Sequence, residues 1–363
     1  MNLDWLKLKI LDIYLIKKVL GAYFLSIVLV ISIAVVFDFS EKIDTFATAS
    51  FKRIVMDYYL NFIPYFANLF SPLFTFIAVI FITSKLADDS EIIAMFSGGI
   101  SFHRVVKPYM YSAAVIAMLS FFLSNFVIPP ANKVRLEFLS EYKNSYRRSS
   151  SVNNVQLEIA KGEVLFVGNY DSNSRRAYRM SLEKFDGKTL VSRTTAQFAD
   201  YDSLGVWHLR KYVRRDFVGM EETLYQGECM DTTINCDPSD FFVFDHQQEQ
   251  MSNKQLRRFI ERQKSRGVGN VQDFEIELAK RYSSPFAAFV LTLIGFAVSS
   301  RKVKGGMGIN LGIGLLLSFA YIMFDTVSAS FAVSGMMSPW LAVWIPNLVF
   351  AVIAAYMYKR APK

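Results

Sequence analysis

The distribution of charged side chains constrains the fold of this 363-residue chain more than any other feature of its sequence. Six stretches of at least 18 residues lack any charged residue, and they form two groups of three on either side of about 150 residues of mixed composition. Because an α-helix rises about 1.5 Å per residue, each stretch is long enough to cross a hydrocarbon layer of about 30 Å. The stretches are Val19–Phe37, Tyr58–Ser84, Pro108–Ala131, Tyr282–Ser300, Gly305–Phe324 and Ala332–Tyr358.

One such stretch is also compatible with the buried core helix of a soluble protein, but six of full membrane length argue against that class. The sequence therefore predicts a membrane α-helical protein with six transmembrane helices, three plus three, and an inserted domain. The predicted divisions are residues 1–131 with helices 1 to 3, the inserted domain at 132–281, and residues 282–363 with helices 4 to 6.

The inserted domain has strand patterns in place of apolar stretches. Segments such as EVLFVGNY and TLVSRTTAQFADY are rich in β-branched and aromatic residues with partial alternation, and Gly162, Gly187 and Gly205 separate such segments. Many short strands with turn signals between them predict an all-β sandwich or jelly roll. A helical segment, MSNKQLRRFIERQKSRG, then returns the chain to the fourth membrane helix.

Lys and Arg residues beside the apolar stretches predict the orientation in the membrane, because the side with more of them faces the cytoplasm. One side carries thirteen and the short loops of the other side carry three, namely Lys42, Lys52 and Arg53. We therefore expect both termini in the cytoplasm and the inserted domain outside. Since the basic residues lie beside the membrane segments, the net charge of +8 does not indicate binding to nucleic acid. The thirteen are Lys7, Lys9, Lys17, Lys18, Lys85, Arg104, Lys107, Arg301, Lys302, Lys304, Lys359, Arg360 and Lys363.

The cytoplasmic loop, residues 85–107, contains a predicted short helix at about residues 88–99. Asp88, Asp89 or Ser90 is its candidate N-cap, and the pair Gly98-Gly99 ends it. Glu91 has two compatible interpretations: it pairs with Arg in the groove of a partner, or it suits the dipole of the first turn. The apolar residues of the helix are Ile92, Ile93, Met95 and Phe96.

For other residues the sequence allows two interpretations. Asp325, inside the fifth apolar helix, could belong to a proton or substrate path or could be paired within the bundle. The absence of a matching base favours pairing. Three cations of the outer loop could contact anionic lipid head groups or could simply be solvated, and spacing alone favours solvation. They are Lys42, Lys52 and Arg53. Cys229 and Cys236 form a disulfide in an oxidising compartment or are two thiols, and spacing does not decide between these states.

No catalytic machinery is recognisable in the sequence. It contains no G-x-x-x-x-G-K-[ST] segment, and the glycines of GGMGINLGIG (Gly305–Gly314) start a membrane helix, where they suit close packing or a bend. His103, His208 and His246 are scattered without metal-ligand spacing. We expect no enzymatic activity, no bound cofactor and no metal site in this chain.

The layout and three segments resemble the LptF/LptG permease family, the membrane subunits of the lipopolysaccharide exporter of Gram-negative bacteria. LDIYLIKKVL (Leu11–Leu20) is similar to the N-terminal motif of the family, and SEIIAMFSGGIS (Ser90–Ser101) to its cytoplasmic loop. The helical return followed by ELAKRYSSPFA is similar to the family's return from the outer domain. The resemblance covers essentially the whole chain, and the C-terminal half with Asp325 looks more like LptG than LptF.

The resemblance implies that two paralogous permeases pair in the inner membrane and bind two copies of the cytoplasmic ATPase LptB, which holds ATP and Mg. Lipopolysaccharide taken from the membrane would pass through a periplasmic jelly roll to those of LptC and LptA. The short cytoplasmic helix would couple the ATPase to transport through Ser90, Glu91, Ile92, Met95 and Phe96. Helices 1 and 5 would line the cavity, and the implied lipid contacts are Phe37, Lys42, Lys52, Arg53, Phe319, Phe324 and Asp325.

In the family, lysines near the outer end of helix 1 hold lipid phosphates. Here only Lys42 corresponds, and the acidic residues Asp38 and Glu41 flank it. Two alternative functions remain: a permease of the lipoprotein-releasing type, which usually has four helices, and a membrane-anchored periplasmic binding or scaffold protein, which needs neither six helices nor a cytoplasmic docking helix. Ion-coupled transport would rest on Asp325 alone.

Overall fold

The computed structural model describes residues 9–142, 151–160, 162–172, 174–202, 206–219, 221–234, 236–241, 247–265, 271–300 and 306–360. The chain divides into a helical unit, Met1–Leu136 with Gln272–Lys363, and a β unit, Glu137–Val271. Residues 272–281, which the sequence assigned to the inserted domain, form the start of a membrane helix and belong to the helical unit. Among the residues used above, Lys7, Arg301, Lys302, Lys304, Lys363, Gly205, Gly305 and His246 lie outside the described ranges.

The helices before the β unit are α1 (Ile10–Glu41), α2 (Ile43–Phe46), α3 (Phe51–Arg53), α4 (Leu60–Leu69), α5 (Ser71–Asp88), α6 (Glu91–Ser97), α7 (Phe102–Phe122) and α8 (Ile128–Tyr142). Two π-helical segments, Ile54–Tyr59 and Leu123–Val127, continue α3 into α4 and α7 into α8. After the strands come α9 (Gln247–Gln250), α10 (Asn253–Ser265), α11 (Gln272–Ser299), α12 (Gly306–Val333) and α13 (Pro339–Arg360).

Six of the described helices are long and apolar enough to span a membrane, which confirms the predicted number. The second apolar stretch, Tyr58–Ser84, differs from the prediction because it is not one helix. α4 ends at Leu69, Phe70 leaves the helical conformation, and α5 restarts at Ser71. Pro72 lies in the first turn of α5, where its missing N–H group leaves no intrahelical hydrogen bond unmade.

α5 and α11 form the centre of the helical unit. α5 packs against α1, α11 and α12, and α11 packs against α7 and α13. Gly314 permits close contact between α12 and α5, because a Cβ atom there would lie 2.2 Å from Cδ1 of Ile80. The predicted packing role of the glycine-rich segment is therefore confirmed for Gly314, whereas Gly308 and Gly312 face open space.

The β unit contains six strands, β1 (Ser151–Ala160), β2 (Glu163–Asp171), β3 (Arg176–Asp186), β4 (Thr189–Tyr201), β5 (Val206–Val218) and β6 (Glu221–Thr233). They form one antiparallel sheet in which every neighbour is consecutive in the chain. The predicted β domain is confirmed, but this strand order is that of a meander. A jelly roll in the strict sense places non-consecutive strands side by side, and the described strands do not do so.

A single row of residues interrupts the regular pairing across the whole sheet. The register pairs Val167 with Met180 and Asn169 with Tyr178, so that Gly168 and Arg179 face each other between two paired positions. One such unpaired position recurs at every strand pair, with the register unchanged on either side of it. We call these positions the flip row, and they are Asn154, Gly168, Arg179, Gln197, Lys211 and Glu228.

The flip row reverses the alternation of inward and outward side chains. On β4 the buried side chains have even residue numbers up to Ala196, whereas the next buried side chain, Ala199, has an odd number. Asn154, Arg179 and Lys211, on alternate strands, have φ values of 54°, 55° and 51°, in the left-handed region that residues other than glycine seldom adopt. The reversal keeps apolar side chains on one face on both sides of the flip row, and they form one core around Trp207.

Candidate functional site

The short helix α6 lies between α5 and α7, at the position predicted for a docking helix. Ser90 is its N-cap residue, but its side chain makes no capping hydrogen bond, and its φ of 62° is left-handed. At the other end the Ile100 N–H donates to the Met95 carbonyl at 3.1 Å, and Gly99 has a φ of 82°. This is the glycine-dependent termination that the Gly98-Gly99 pair predicts.

The apolar residues of α6 do not share one surface. Ile92 is fully buried against the core that includes Leu86 and Phe102, and Met95 and Phe96 are half-buried on the same core. Ile92 was predicted among the coupling contacts, but a side chain without exposed surface holds α6 to its own bundle instead. The exposed face of the helix is formed by Ile93, Ala94 and Ser97.

Glu91 joins α6 to α1 within the same chain. Its carboxylate accepts a hydrogen bond from the Tyr14 hydroxyl at 2.8 Å and lies 3.4 Å from Nζ of Lys18. Its side chain is 36% exposed, so the carboxylate is partly accessible to solvent. The sequence offered two compatible interpretations of Glu91, pairing with a partner's Arg or placement in the first turn to suit the helix dipole. The structure places it in the first turn, beside a cation on the first membrane helix that the sequence did not identify.

A second link ties the start of α1 to α7, and sequence reasoning missed it. Arg104 Nη1 and Nη2 donate to the Asp12 carboxylate at 2.5 and 2.7 Å, and the Lys9 backbone N–H donates to the same carboxylate at 2.8 Å. Asp12 is only 2% exposed. A bidentate Arg–carboxylate pair fixes direction as well as distance, so α1, α6 and α7 are held together at one end of the helical unit.

The cations predicted to meet lipid lie at the opposite end of α1, and most are already paired. Lys42 forms an ion pair with Asp38, which also accepts a hydrogen bond from the Tyr58 hydroxyl at 3.0 Å. Arg53 Nε lies 3.0 Å from the Asp57 carboxylate. Within the described part of the chain, Lys52 alone of the three has no ion pair. The flanking carboxylates noted in the sequence thus neutralise Lys42 locally.

The predicted contacts on α12 lie on different surfaces. Phe319 is 54% exposed, whereas Phe324 is half-buried against the core around Tyr321. Asp325 lies 3.3 Å from Nζ of Lys280 on α11, with both side chains about one-third exposed. This is the pairing within the bundle that the sequence favoured, although the sequence did not identify Lys280.

α1 and α12 are the least enclosed of the six long helices. Only 17% and 22% of their most apolar windows are buried, against 67% for α5 and 61% for α11. Phe37 on α1 is strongly exposed, as is Phe319 on α12. These faces are therefore available to lipid or to another subunit.

The cysteines and histidines form no common site in the described residues. Cys229 is exposed on β6, Cys236 is buried in the β-unit core, and the structure does not join them in a disulfide. His103 packs edge-on to Tyr358 with ring centroids 5.2 Å apart. His208 lies 2.6 Å from the Asp231 carboxylate, and this contact raises the pKa of the imidazole.

Comparison with known families supports the resemblance found in the sequence. The profile described as "Lipopolysaccharide export system permease LptF/LptG" matches residues 13–360, nearly the whole chain, and it treats LptF and LptG together. No curated protein sequence gives a significant match. With six membrane-spanning helices interrupted by an antiparallel β unit and a match over this length, the chain belongs to the LptF/LptG family of lipopolysaccharide export permeases.

Proposed function

We propose that this chain is one of two paralogous permease subunits of an ATP-driven exporter in the bacterial inner membrane. The exporter extracts lipopolysaccharide and passes it to a bridge of periplasmic β domains, those of LptC and LptA. The energy comes from the separate ATPase LptB, because the sequence has no nucleotide-binding motif of its own. Both termini and α6 face the cytoplasm, and the β unit faces the periplasm, in agreement with the distribution of Lys and Arg.

The observation that carries the proposal is the construction of α6. Burial of Ile92 fixes this helix to the bundle, while Ile93, Ala94 and Ser97 face outward. A short helix with a small exposed apolar face suits insertion into the groove of a partner protein. We therefore assign the ATPase contact to Ile93 and its neighbours, with Met95 and Phe96 as half-buried supports.

Glu91 has a different role in this proposal. Since it contacts Tyr14 and Lys18, a displacement of α6 reaches α1 directly. The Asp12–Arg104 pair holds α1 and α7 together at the same end, so the three helices move together. α1 is one of the two exposed helices, and movement there changes the face that it offers to cargo and to the second permease.

The exposed faces of α1 and α12 would form the cargo cavity together with the paralogous subunit. Phe37 and Phe319 supply apolar surface for acyl chains. A phosphate clamp at Lys42 is not part of the proposal, because Asp38 already pairs with that ammonium group. Lys52 is the better candidate for an anionic head group at this end of the helix.

The test is co-purification of the ATPase with the full chain and its paralogue. We expect Ile93→Asp to lower the recovered ATPase about tenfold or more, as loss of a central interface anchor does. Ile43→Asp is the matched control, because Ile43 is also an exposed isoleucine but lies in α2, just beyond the other end of α1. Recovery that is the same for both variants would refute docking at α6.

Two further variants separate docking from coupling. If Glu91 acts through α1, Glu91→Gln and Lys18→Gln both keep the ATPase bound but reduce ATP-dependent release of lipopolysaccharide from proteoliposomes. If Glu91 instead contacts the ATPase, Glu91→Gln alone loses it. Failure of the intact permease pair to bind any ATPase, or lipopolysaccharide release without ATP, would refute the proposed function itself.

A further inference from the structure

The first half of α12 is attached to α5 at two points that lie one helical turn apart. Asn310 Nδ2 on α12 donates to the Ser84 hydroxyl on α5 at 3.1 Å. Four residues onward in α12 and four residues back in α5, Gly314 lies so close to Ile80 that an added Cβ atom would collide with Cδ1. The two helices are therefore antiparallel neighbours. We call the hydrogen bond and the packing contact together the α5–α12 junction.

Both partners of the hydrogen bond are buried. Asn310 is 4% exposed and Ser84 is 1% exposed. Among the residues that the structure describes, this is the one side-chain hydrogen bond between α5 and α12. In a hydrocarbon layer no water replaces a lost hydrogen-bond partner, so the buried amide favours the arrangement in which α12 stays against α5.

The second half of α12 is attached to other helices. The Tyr321 hydroxyl donates to Asn347 Oδ1 on α13 at 3.0 Å, and Asp325 pairs with Lys280 on α11. α5 thus holds the first half of α12, whereas α11 and α13 hold the second half. The two halves of one helix therefore respond to different neighbours.

The backbone between these attachments is suited to bending. The Ser318 hydroxyl, one turn after Gly314, donates to the Gly314 carbonyl at 3.0 Å. Glycine and serine together, and a serine bonded to the carbonyl four residues earlier, are recognised causes of helix bending. The first half of α12 can therefore follow α5 while the second half stays against α11 and α13.

α5 continues almost directly into α6, the helix to which we assign the ATPase contact. α5 ends at Asp88 and α6 begins at Glu91. Leu86 near the end of α5 and Ile92 on α6 are buried in the same core. A displacement of α6 therefore moves the last turns of α5, and these turns include Ser84.

From this geometry we infer that the α5–α12 junction transmits a displacement of α6 to the first half of α12, with Asn310 and Ser84 as positioning residues. The inference deepens the proposed function and rests on it, because the proposed ATPase supplies the displacement. Glu91 links α6 to α1 through Lys18. α6 thus acts on both exposed helices, on α1 through Glu91 and on α12 through Ser84.

The test uses proteoliposomes that contain the full chain, its paralogue and the ATPase. Asn310→Leu and Ser84→Ala each remove the hydrogen bond from one side, and leucine has the same branched shape as asparagine. We expect both variants to retain the ATPase and its ATP hydrolysis but to release about fivefold less lipopolysaccharide per ATP, or less still. The double variant should be no worse than either single variant, because both changes remove the same contact.

Tyr321→Phe is the matched control. It removes a buried hydrogen bond from the same helix but leaves the α5–α12 junction unchanged. We expect it to release as much lipopolysaccharide per ATP as the intact chain. An equal reduction by Tyr321→Phe would show that release depends on the attachment of α12 as a whole, and it would overturn the inference.

A spectroscopic measurement separates transmission from stability. Spin labels at Ile313→Cys on α12 and Val352→Cys on α13, both exposed positions, report the first half of α12 in a background with Cys229→Ser and Cys236→Ser. Binding of a non-hydrolysable ATP analogue to the ATPase should change the distance between the labels by about 2 Å, and Asn310→Leu should abolish this change. No change in the labelled parent chain, or a change that persists with Asn310→Leu, would overturn the inference.

The proposed function and the role of the junction fail in different ways. If no ATPase binds to the intact permease pair, the proposed function is refuted and the role of the junction with it. If the ATPase binds and lipopolysaccharide is released, but the Asn310 and Ser84 variants release it as efficiently as the intact chain, only the role of the junction is refuted.

Discussion

The enclosed helices α5 and α11 and the exposed helices α1 and α12 differ in a way that hydropathy alone does not show. The most apolar window of α1 has a mean hydropathy of 2.7, against 1.4 for α5, yet α1 is mostly exposed and α5 mostly buried. In lipid an apolar surface costs nothing to expose. High hydropathy in this chain therefore marks the faces that meet lipid or another subunit.

The enclosed helices bury hydroxyl-bearing side chains among their large apolar ones. Thr75, Thr83 and Ser84 on α5 and Thr292 on α11 are buried. Polar contacts join the helices, since Thr83 donates to the Tyr109 hydroxyl at 3.1 Å and Asn310 Nδ2 donates to Ser84 at the same distance. Interhelical hydrogen bonds and close backbone approach therefore add to the apolar packing of the centre, which includes Phe76 and Phe296.

The largest expected effect is on the unfolding free energy of the single chain, and it is tested with one phenylalanine from each class of helix. Phe296 on α11 is fully buried, with its ring 4.6 Å from Tyr109, so Phe296→Ala should lower the unfolding free energy of the single chain by about 3 kcal/mol. Phe319→Ala on the exposed face of α12 should lower it by less than about 0.5 kcal/mol. Denaturation in detergent micelles measures both.

The same pair should reverse its order in a second measurement. Phe319→Ala should weaken association with the paralogous permease or retention of lipid, whereas the single-chain stability stays unchanged. Equal destabilisation of the single chain by both variants would show that α12 is packed as tightly as α11, and the distinction between the two classes would be lost.

A smaller effect is expected where an exposed helix touches an enclosed one. Gly314→Leu on α12 should destabilise the chain by about 2 kcal/mol, because the new side chain collides with Ile80 on α5. Gly312→Leu, two residues away with nothing within 4 Å of the added Cβ, is the matched control and should be nearly neutral. If thermal unfolding in micelles shows the same loss for both, α12 does not contact α5 through Gly314.

The smallest expected effect concerns the ion pair between α11 and α12. Lys280 and Asp325 are each about one-third exposed, so their coupling should be below about 1 kcal/mol. A double-mutant cycle with Lys280→Gln and Asp325→Asn gives the coupling directly. A much larger coupling would mean that electrostatic pairing, and not close packing at Gly314, holds α12 in place.

The sequence was sufficient for the number of spanning helices, for α6 and for the presence of a β unit, because each depends on a local pattern. Charge-free length predicts a span, and the Gly98-Gly99 pair predicts the end of α6. The break at Phe70 was missed because counting charges ignores Pro72, although a proline next to Ser71 is itself a local signal for a new helix start.

Contacts between distant residues could not be predicted in the same way. Asp12 and Arg104 are 92 residues apart, and Lys280 and Asp325 lie on different helices, so their pairing depends on which helices are neighbours. Ile92 and Ile93 are adjacent and chemically alike, yet one is buried and the other exposed. Only the direction in which α6 lies on the bundle distinguishes them.

The flip row has a consequence for how the β unit can change over time. Deleting Arg179 from β3 would remove the reversal and one residue together, so Ala177 and Met180 would stay on the same face, but the pairing of β3 with β2 and β4 would shift by one residue on one side of the deletion. The neighbouring strands would keep their own reversals, so the mismatch would extend along that side of both pairs. The six strands can therefore lengthen or shorten freely at their turns, but within the sheet they tolerate insertions and deletions only as a coordinated set.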